Sequence, residues 1–271
     1  MILLNRLIRF CAVDPATLDQ SLEADTNGFG GRPAMVGLGT YYELKIVCRG
    51  EPDPVLQYVV DIKDIDAAAR QTIIPAICKA AWTHPQPPIH SILAASLPAL
   101  NEALAGRLHS LELRLTPTYA IEMNTQNPRR VLLRQRFDFA AAHRLHSPQL
   151  SDEQNRLRYG KCNNPNGHGH NYQFEPCVAV DVTESGFGAL SLADLEAAAK
   201  QTIIDRFDHT HLNEDTVEFN PSRGGLIPTV ENISKVLFHM LDAALRARWT
   251  GATLVSMTVW ETDRTSATYP G

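Results

Sequence analysis

No stretch of this chain reaches the roughly 20 consecutive apolar residues that a membrane span needs, so no transmembrane helix is expected. The opening segment MILLNRLIRF has too short an apolar run for a secretory signal, and Arg6 and Arg9 interrupt it. An excess of positive charge is also missing. The formal net charge is −5, which gives nucleic acid or an anionic membrane no general attraction, and neither is expected as a partner. Cysteines are few and odd in number: Cys11, Cys48, Cys78, Cys162 and Cys177 stand at irregular spacings. They fit free thiols in a reducing compartment better than a disulfide framework, so a cytoplasmic protein is expected. What the chain does have is apolar mass. With 44% hydrophobic residues in 271, it can build one large domain or two modest ones.

The chain repeats itself. DIKDIDAAARQTII (61–74) and SLADLEAAAKQTII (191–204) align without a gap, Asp64 against Asp194, with eight of fourteen positions identical. The same offset sets GLGTYYE (37–43) against GHGHNYQ (167–173). Two matches at one offset predict two copies of one domain. The boundary falls in NTQNPRR, giving domains 1–126 and 127–271.

In the second copy RVLLRQRFDFAAAH alternates, with Val131, Leu133, Phe137 and Phe139 on one face of a half-buried strand. NYQFEPCVAVDVT reads as a second strand, bent or at an edge near Pro176. Helices are predicted at about 192–206 and 230–248, the latter from a stripe through Ile233, Leu237, Leu241 and Leu245. ATLVSMTVWETD and TSATY complete the order as strands. Two strands, two helices, two strands predicts an α+β domain with both helices on one face of an antiparallel sheet. The first copy follows suit, with Pro98 predicting a kink or a later start in its second helix.

The chemistry concentrates in GKCNNPNGHGHNY (160–172). On a strand His168 and His170 point to one side, and Gly167 and Gly169 leave room around them. His143 ends the preceding strand, where an antiparallel neighbour can bring it alongside. Three neutral imidazoles with an open fourth position is the arrangement of catalytic zinc. His146, His209 and His211 compete as ligands, and spacing leaves the choice open. Copy one carries Leu38 and Thr40 where copy two carries His168 and His170. It keeps the pattern without the histidines, which favours function over folding as their purpose.

Cys162, in a CNNPNG turn, reads either as a fourth metal ligand, as an inert thiol, or as a thiolate base beside a cation. Asp208 can orient and charge-stabilise His209 for proton transfer. Glu261 shares a strand face with Val255, Met257 and Val259, so its carboxylate needs a partner, and a ligand with two parallel N–H donors would serve. Glu231 opens a helix, an ordinary place for an acidic residue.

FDFAAAHRLHS, YGKCNNPNGHGHNY, DHTHLN, PTVEN and WETD together resemble the 6-pyruvoyltetrahydropterin synthases over about 136–268. That family adopts the tunnelling fold (T-fold), two strands, two helices and two strands, so the chain is expected to hold two in tandem. The resemblance implies Zn2+ on His143, His168 and His170, Cys162 as general base, and Asp208 with His209 completing proton transfer. It implies Glu261 as the pterin anchor, helped by Thr229 and Glu231. The substrate would be 7,8-dihydroneopterin triphosphate, converted to 6-pyruvoyltetrahydropterin with loss of triphosphate. Arg144 and Lys161 flank the site in sequence and are the cations expected to meet the triphosphate. Relatives on the same fold make 6-carboxytetrahydropterin toward deazapurine nucleosides, with the cysteine commonly nearer the His-Gly-His. Here five residues separate Cys162 from His168, the spacing of the pyruvoyl-forming group. Most members are single domains. In copy one Arg32 stands at the offset position of Cys162, and Cys78-Lys79 at that of Asp208-His209. Copy one is therefore expected to be catalytically empty and to serve assembly of a homo-oligomeric barrel. Two rivals are a cupin-like metal oxygenase using Glu175, for which a further glycine-rich histidine segment is missing, and a non-catalytic zinc-binding assembly protein.

Overall fold

The computed structural model describes residues 1–12, 40–183 and 190–270, so Arg32, Gly37 and Leu38 of the repeat comparison lie outside the described residues. The described residues fall into two units, 1–133 with 181–183, and 134–180 with 190–270.

The first unit contains β1 (Ile2–Ala12), β2 (Thr40–Gly50), α1 (Ile62–Gln71), α2 (Ile73–Ala81), α3 (Ile89–Ala103), β3 (Leu108–Thr116) and β4 (Tyr119–Asn124). Its strands pair antiparallel in that order, and the register builds a row across them: Ile8 opposite Leu44, Leu44 opposite Leu113, Leu113 opposite Ile121. All four are fully buried, as are Ile65, Ile73, Leu93 and Leu100 of the helices. Burying each such side chain contributes about 1.5–3 kcal/mol. Arg6 reaches from β1 to the Asp66 carboxylate of α1 through two hydrogen bonds, of 2.8 and 2.6 Å. A helical irregularity at Thr72 (φ −119°, ψ −78°) separates α1 from α2, and its hydroxyl donates back to the Ala68 carbonyl at 2.7 Å. α3 begins at Ile89 and runs through Pro98. It does not start later, because Leu93, Leu97 and Leu100 are buried on both sides of the proline and offset its lost hydrogen bond.

The chain passes from the first unit to the second within β5 (Arg130–Gln135). Next come β6 (Phe137–His143), α4 (Asp152–Tyr159), β7 (His168–Asp181), α5 (Leu192–Ala199), a π-helical turn (Lys200–Ile204) and α6 (Asp205–Phe207). They are followed by β8 (Thr210–His211), α7 (Leu212–Asp215), α8 (Val230–Arg248), β9 (Ala252–Thr262) and β10 (Thr265–Pro270). β6 pairs with β7, β7 with β9 and β9 with β10, all antiparallel, while the short β8 runs parallel to β6. The strand expected over 131–139 is broken at Arg136, which stacks over Trp260 at 4.4 Å and pairs with Glu175 at 3.3 Å. The alternation survives the break: Val131, Leu133, Phe139, Ala141 and His143 are all buried.

Pro176 marks a bend rather than an edge. Pairing with β6 ends at Phe174, and the register against β9 slips between Cys177 and Val178. α4 carries no apolar stripe to announce it. A capping box of Ser151 and Gln154 starts it, and the buried Asn155 side chain ties it to the carbonyls of Ser147 and Leu150. Among the described residues, no helix is long and apolar enough to cross a membrane.

Candidate metal centre

Two strands and one glycine build the site. The β6–β7 register sets His143 directly opposite His168 and Ala141 opposite His170. Two residues deeper, Phe139 stacks on Tyr172 at 5.2 Å and fixes that register from the core. The three imidazole centroids lie 4.5, 5.1 and 4.7 Å apart, and one ligand nitrogen from each ring falls within 4.8 Å of the others. Gly167, at φ +70°, turns the chain into β7. A Cβ there would stand 2.5 Å from Nε2 of His211 and 3.0 Å from the His143 carbonyl oxygen, so no side chain fits.

His143 is fully buried. Its Nδ1 lies 2.8 Å from the Pro228 carbonyl, to which it donates, leaving the Nε2 lone pair for the centre of the cluster. The Tyr172 hydroxyl lies 3.2 Å from the same Nδ1. Burial lowers the His143 pKa to about 4, with the Pro228 bond acting against it, so the ring is neutral at pH 7. Burial also lowers the His170 pKa, while the Glu261 carboxylate opposes that shift.

The Nε2 atoms of His143 and His168 are 3.1 Å apart. Tetrahedral metal–nitrogen bonds of about 2.0–2.1 Å place two donors about 3.3 Å apart. His170 Nε2 is buried with no hydrogen-bond partner. Three rings with converging nitrogens therefore fit a divalent cation. Cys162 does not belong to the cluster. The other histidines are elsewhere engaged or outside it: His146 meets Asn163, and the His209 side chain is 84% exposed. Glu175 pairs with Arg136 and takes no part.

Glu261, near the end of β9, brings Oε1 to 3.3 Å from His143 Nε2 and 3.6 Å from His170 Nε2. Cys162 lines a cleft of about 1200 Å3 together with Arg144, Lys161, His168 and His170. Burial, and then the nearby Glu261 charge, push its thiol pKa up. A cation on the histidines would pull it the other way. Asn213 clamps the Arg144 backbone, accepting from its N–H at 2.7 Å and donating to its carbonyl at 3.1 Å.

Asp208 accepts from the Ala140 N–H and from His209 Nδ1, both at 2.8 Å, and these bonds lower its pKa, the Ala140 bond most. His209, at φ +57°, faces a second cleft of about 490 Å3, lined also by His170, Asn171 and His211. The structure thus puts Cys162 and His209 in different clefts, with His170 lining both. Thr229 caps α8 by accepting from the Asn232 N–H, and the Glu231 side chain is exposed in the first turn; neither lines the two clefts. The Pro228 carbonyl was beyond sequence reasoning because every residue carries one. Arg156 and Arg264, which also line the larger cleft, depend on where α4 and the β9–β10 turn lie.

Known proteins resemble the second half of the chain. A family model described as 6-pyruvoyl tetrahydropterin synthase matches residues 132–271. The 6-pyruvoyl tetrahydrobiopterin synthase of Homo sapiens is 35% identical over 136 residues, covering 50% of this chain and 88% of that protein. The Drosophila melanogaster protein of the same name is 35% identical over 141 residues, covering 51% and 79%. Among solved structures, the Caenorhabditis elegans 6-pyruvoyl tetrahydropterin synthase is 33% identical with a TM-score of 0.46, covering 52% of this chain and 96% of that one.

Proposed function

The chain belongs to the 6-pyruvoyl tetrahydropterin synthase family of lyases, and from that premise we propose that it converts 7,8-dihydroneopterin triphosphate to 6-pyruvoyltetrahydropterin, with zinc on His143, His168 and His170. The observation that carries the reading is the convergence of three imidazoles at the wall of a cleft that also holds Cys162. When bound, the ion supplies Lewis acidity that makes the substrate's side-chain protons easier to remove.

The chain's own residues do the rest. Pro228 holds His143 in one tautomer, so that Nε2 stays available. Cys162 Sγ takes a proton from the substrate side chain, and Asp208 holds His209 as the group that returns one. Glu261 receives two N–H groups of the pterin ring, fixing the reacting carbons against the base; Thr229 and Glu231 support that end. Arg144 and Lys161 meet the triphosphate. Cys162 and His209 face different clefts, which accords with a complete site that draws them from two chains of a homo-oligomer whose sheet edges close into a barrel.

The first unit is read as a second, non-catalytic T-fold domain, 1–126, preceding the catalytic 127–271. Thr72 and Thr202 stand 130 residues apart, each donates to the carbonyl four residues back, and each sits at a helical irregularity. That shared detail supports descent from one repeat. Cys78-Lys79 lies inside α2, leaving no counterpart of the loop that presents His209. A cytoplasmic location accords with five free cysteines.

The test is incubation of the purified protein with dihydroneopterin triphosphate, with the product side chain identified by mass. A three-carbon pyruvoyl product supports the reading, and a carboxylate product moves the enzyme to the deazapurine branch. No turnover, with Cys162→Ala losing zinc, would make it an assembly protein.

A further inference from the structure

Several arginines of this protein sit in close ion pairs. Arg6 pairs with Asp66, Arg136 with Glu175, Arg206 with Glu218 and Arg246 with Asp242, each within 3.3 Å. The cleft beside the histidines gathers cations without such partners. Arg144, Arg156, Lys161 and Arg264 all line it, and Asp152 is the single carboxylate among its lining residues. Arg156 and Lys161 make no ion pair among the described residues, and Arg144 spends its Nε on the Asn163 carbonyl at 3.2 Å. Arg264 reaches only Asp263, at 4.0 Å with both side chains about nine-tenths exposed, a pairing of little energetic weight.

Four cations that line one cleft from three segments repel one another, and an anion held among them relieves that repulsion. A lone carboxylate or phosphate can engage one or two of them. A chain of phosphates, with several charges spread along its length, can engage all four, and guanidinium groups match phosphate oxygens through paired hydrogen bonds.

We propose that Arg156 and Arg264 complete a polyphosphate-binding rim with Arg144 and Lys161, and that these two arginines set the preference for triphosphate over shorter anions. Naming the anion as the leaving group of the substrate rests on the lyase reading; the anion chemistry itself does not. Asp152, one helical turn from Arg156 on α4, is the one carboxylate lining the cleft and lowers the rim's net positive charge. Arg158, on the same helix, does not line the cleft and provides the control.

The experiment is calorimetric titration of inorganic triphosphate and orthophosphate into the full-length, zinc-loaded protein, with zinc retention checked afterwards. Triphosphate is expected to bind the wild type well and orthophosphate weakly. Arg156→Ala combined with Arg264→Ala should weaken triphosphate binding by about a hundredfold and flatten its salt dependence, at about tenfold for each charge-assisted hydrogen-bonding partner removed. Arg158→Ala should change nothing. Equal binding of triphosphate by the double variant and the wild type, or no binding by either, overturns the rim. Turnover separates the two claims. Triphosphate binding that depends on both arginines, without pterin conversion, leaves the rim and removes the lyase. Pterin conversion with an unchanged KM in the double variant does the reverse.

Discussion

His143 belongs both to the candidate metal site and to the core of its unit. Its ring is fully buried and its pKa is lowered to about 4. In the unfolded chain the same imidazole takes up a proton near pH 6.5, so between that pH and about 4 acid favours the unfolded state. Above 6.5 the ring is neutral in both states and its contribution is constant. Metal-free protein should therefore lose up to about 3 kcal/mol from this group on acidification across the window. Urea midpoints at the two ends, compared with those of His143→Gln, isolate it. The variant should have a shallower slope. Tyr172→Phe removes the hydroxyl beside His143 Nδ1 and should weaken zinc binding about tenfold, read by competition with a chromogenic chelator. At this scale alternation shows in the sequence that His168 and His170 point to one side of a strand, whereas spacing leaves His143 in competition with His146, His209 and His211, and the family resemblance chooses among them. The second contacts of the rings could not be read there. Pro228 is 85 residues from His143, and a backbone carbonyl leaves no mark in the sequence.

Among elements, the β6–β7 ladder and the turn leading into it carry the geometry. Gly167→Ala should cost more than a left-handed backbone alone. A Cβ would meet His211 and the His143 carbonyl, and the strand carrying His168 and His170 would shift. Gly224 offers the comparison: it also has a positive φ, +75°, and a Cβ added there would meet nothing within 4 Å. Gly224→Ala should lose about 1 kcal/mol and keep its metal, whereas Gly167→Ala should lose about 3 kcal/mol or more and bind zinc poorly. Thermal denaturation and metal titration of the two variants check this. The strands and the α8 helix follow from periodicity in the sequence, since their apolar faces are regular. α4 does not, because capping and a buried asparagine hold it rather than an apolar stripe. The cations of the larger cleft depend on that helix and on the β9–β10 turn, so two of the four were out of reach.

For the whole molecule, the separation of Cys162 and His209 into different clefts makes a sharp prediction. Chains carrying Cys162→Ala and chains carrying His209→Ala should each be nearly inactive alone. Unfolded together and allowed to reassemble, they should regain activity, measured as pterin product per mole of zinc. No recovery would assign both groups to one chain. The hydrogen bond from His143 to Pro228 has a further consequence for how the protein matures. All three imidazoles leave the ribosome by residue 170, but the carbonyl that fixes the tautomer of one of them arrives with the segment before α8. A nascent chain would hold a cation there loosely at first and grip it only once the segment around Pro228 has docked, so firm metal binding would report that this later segment has folded.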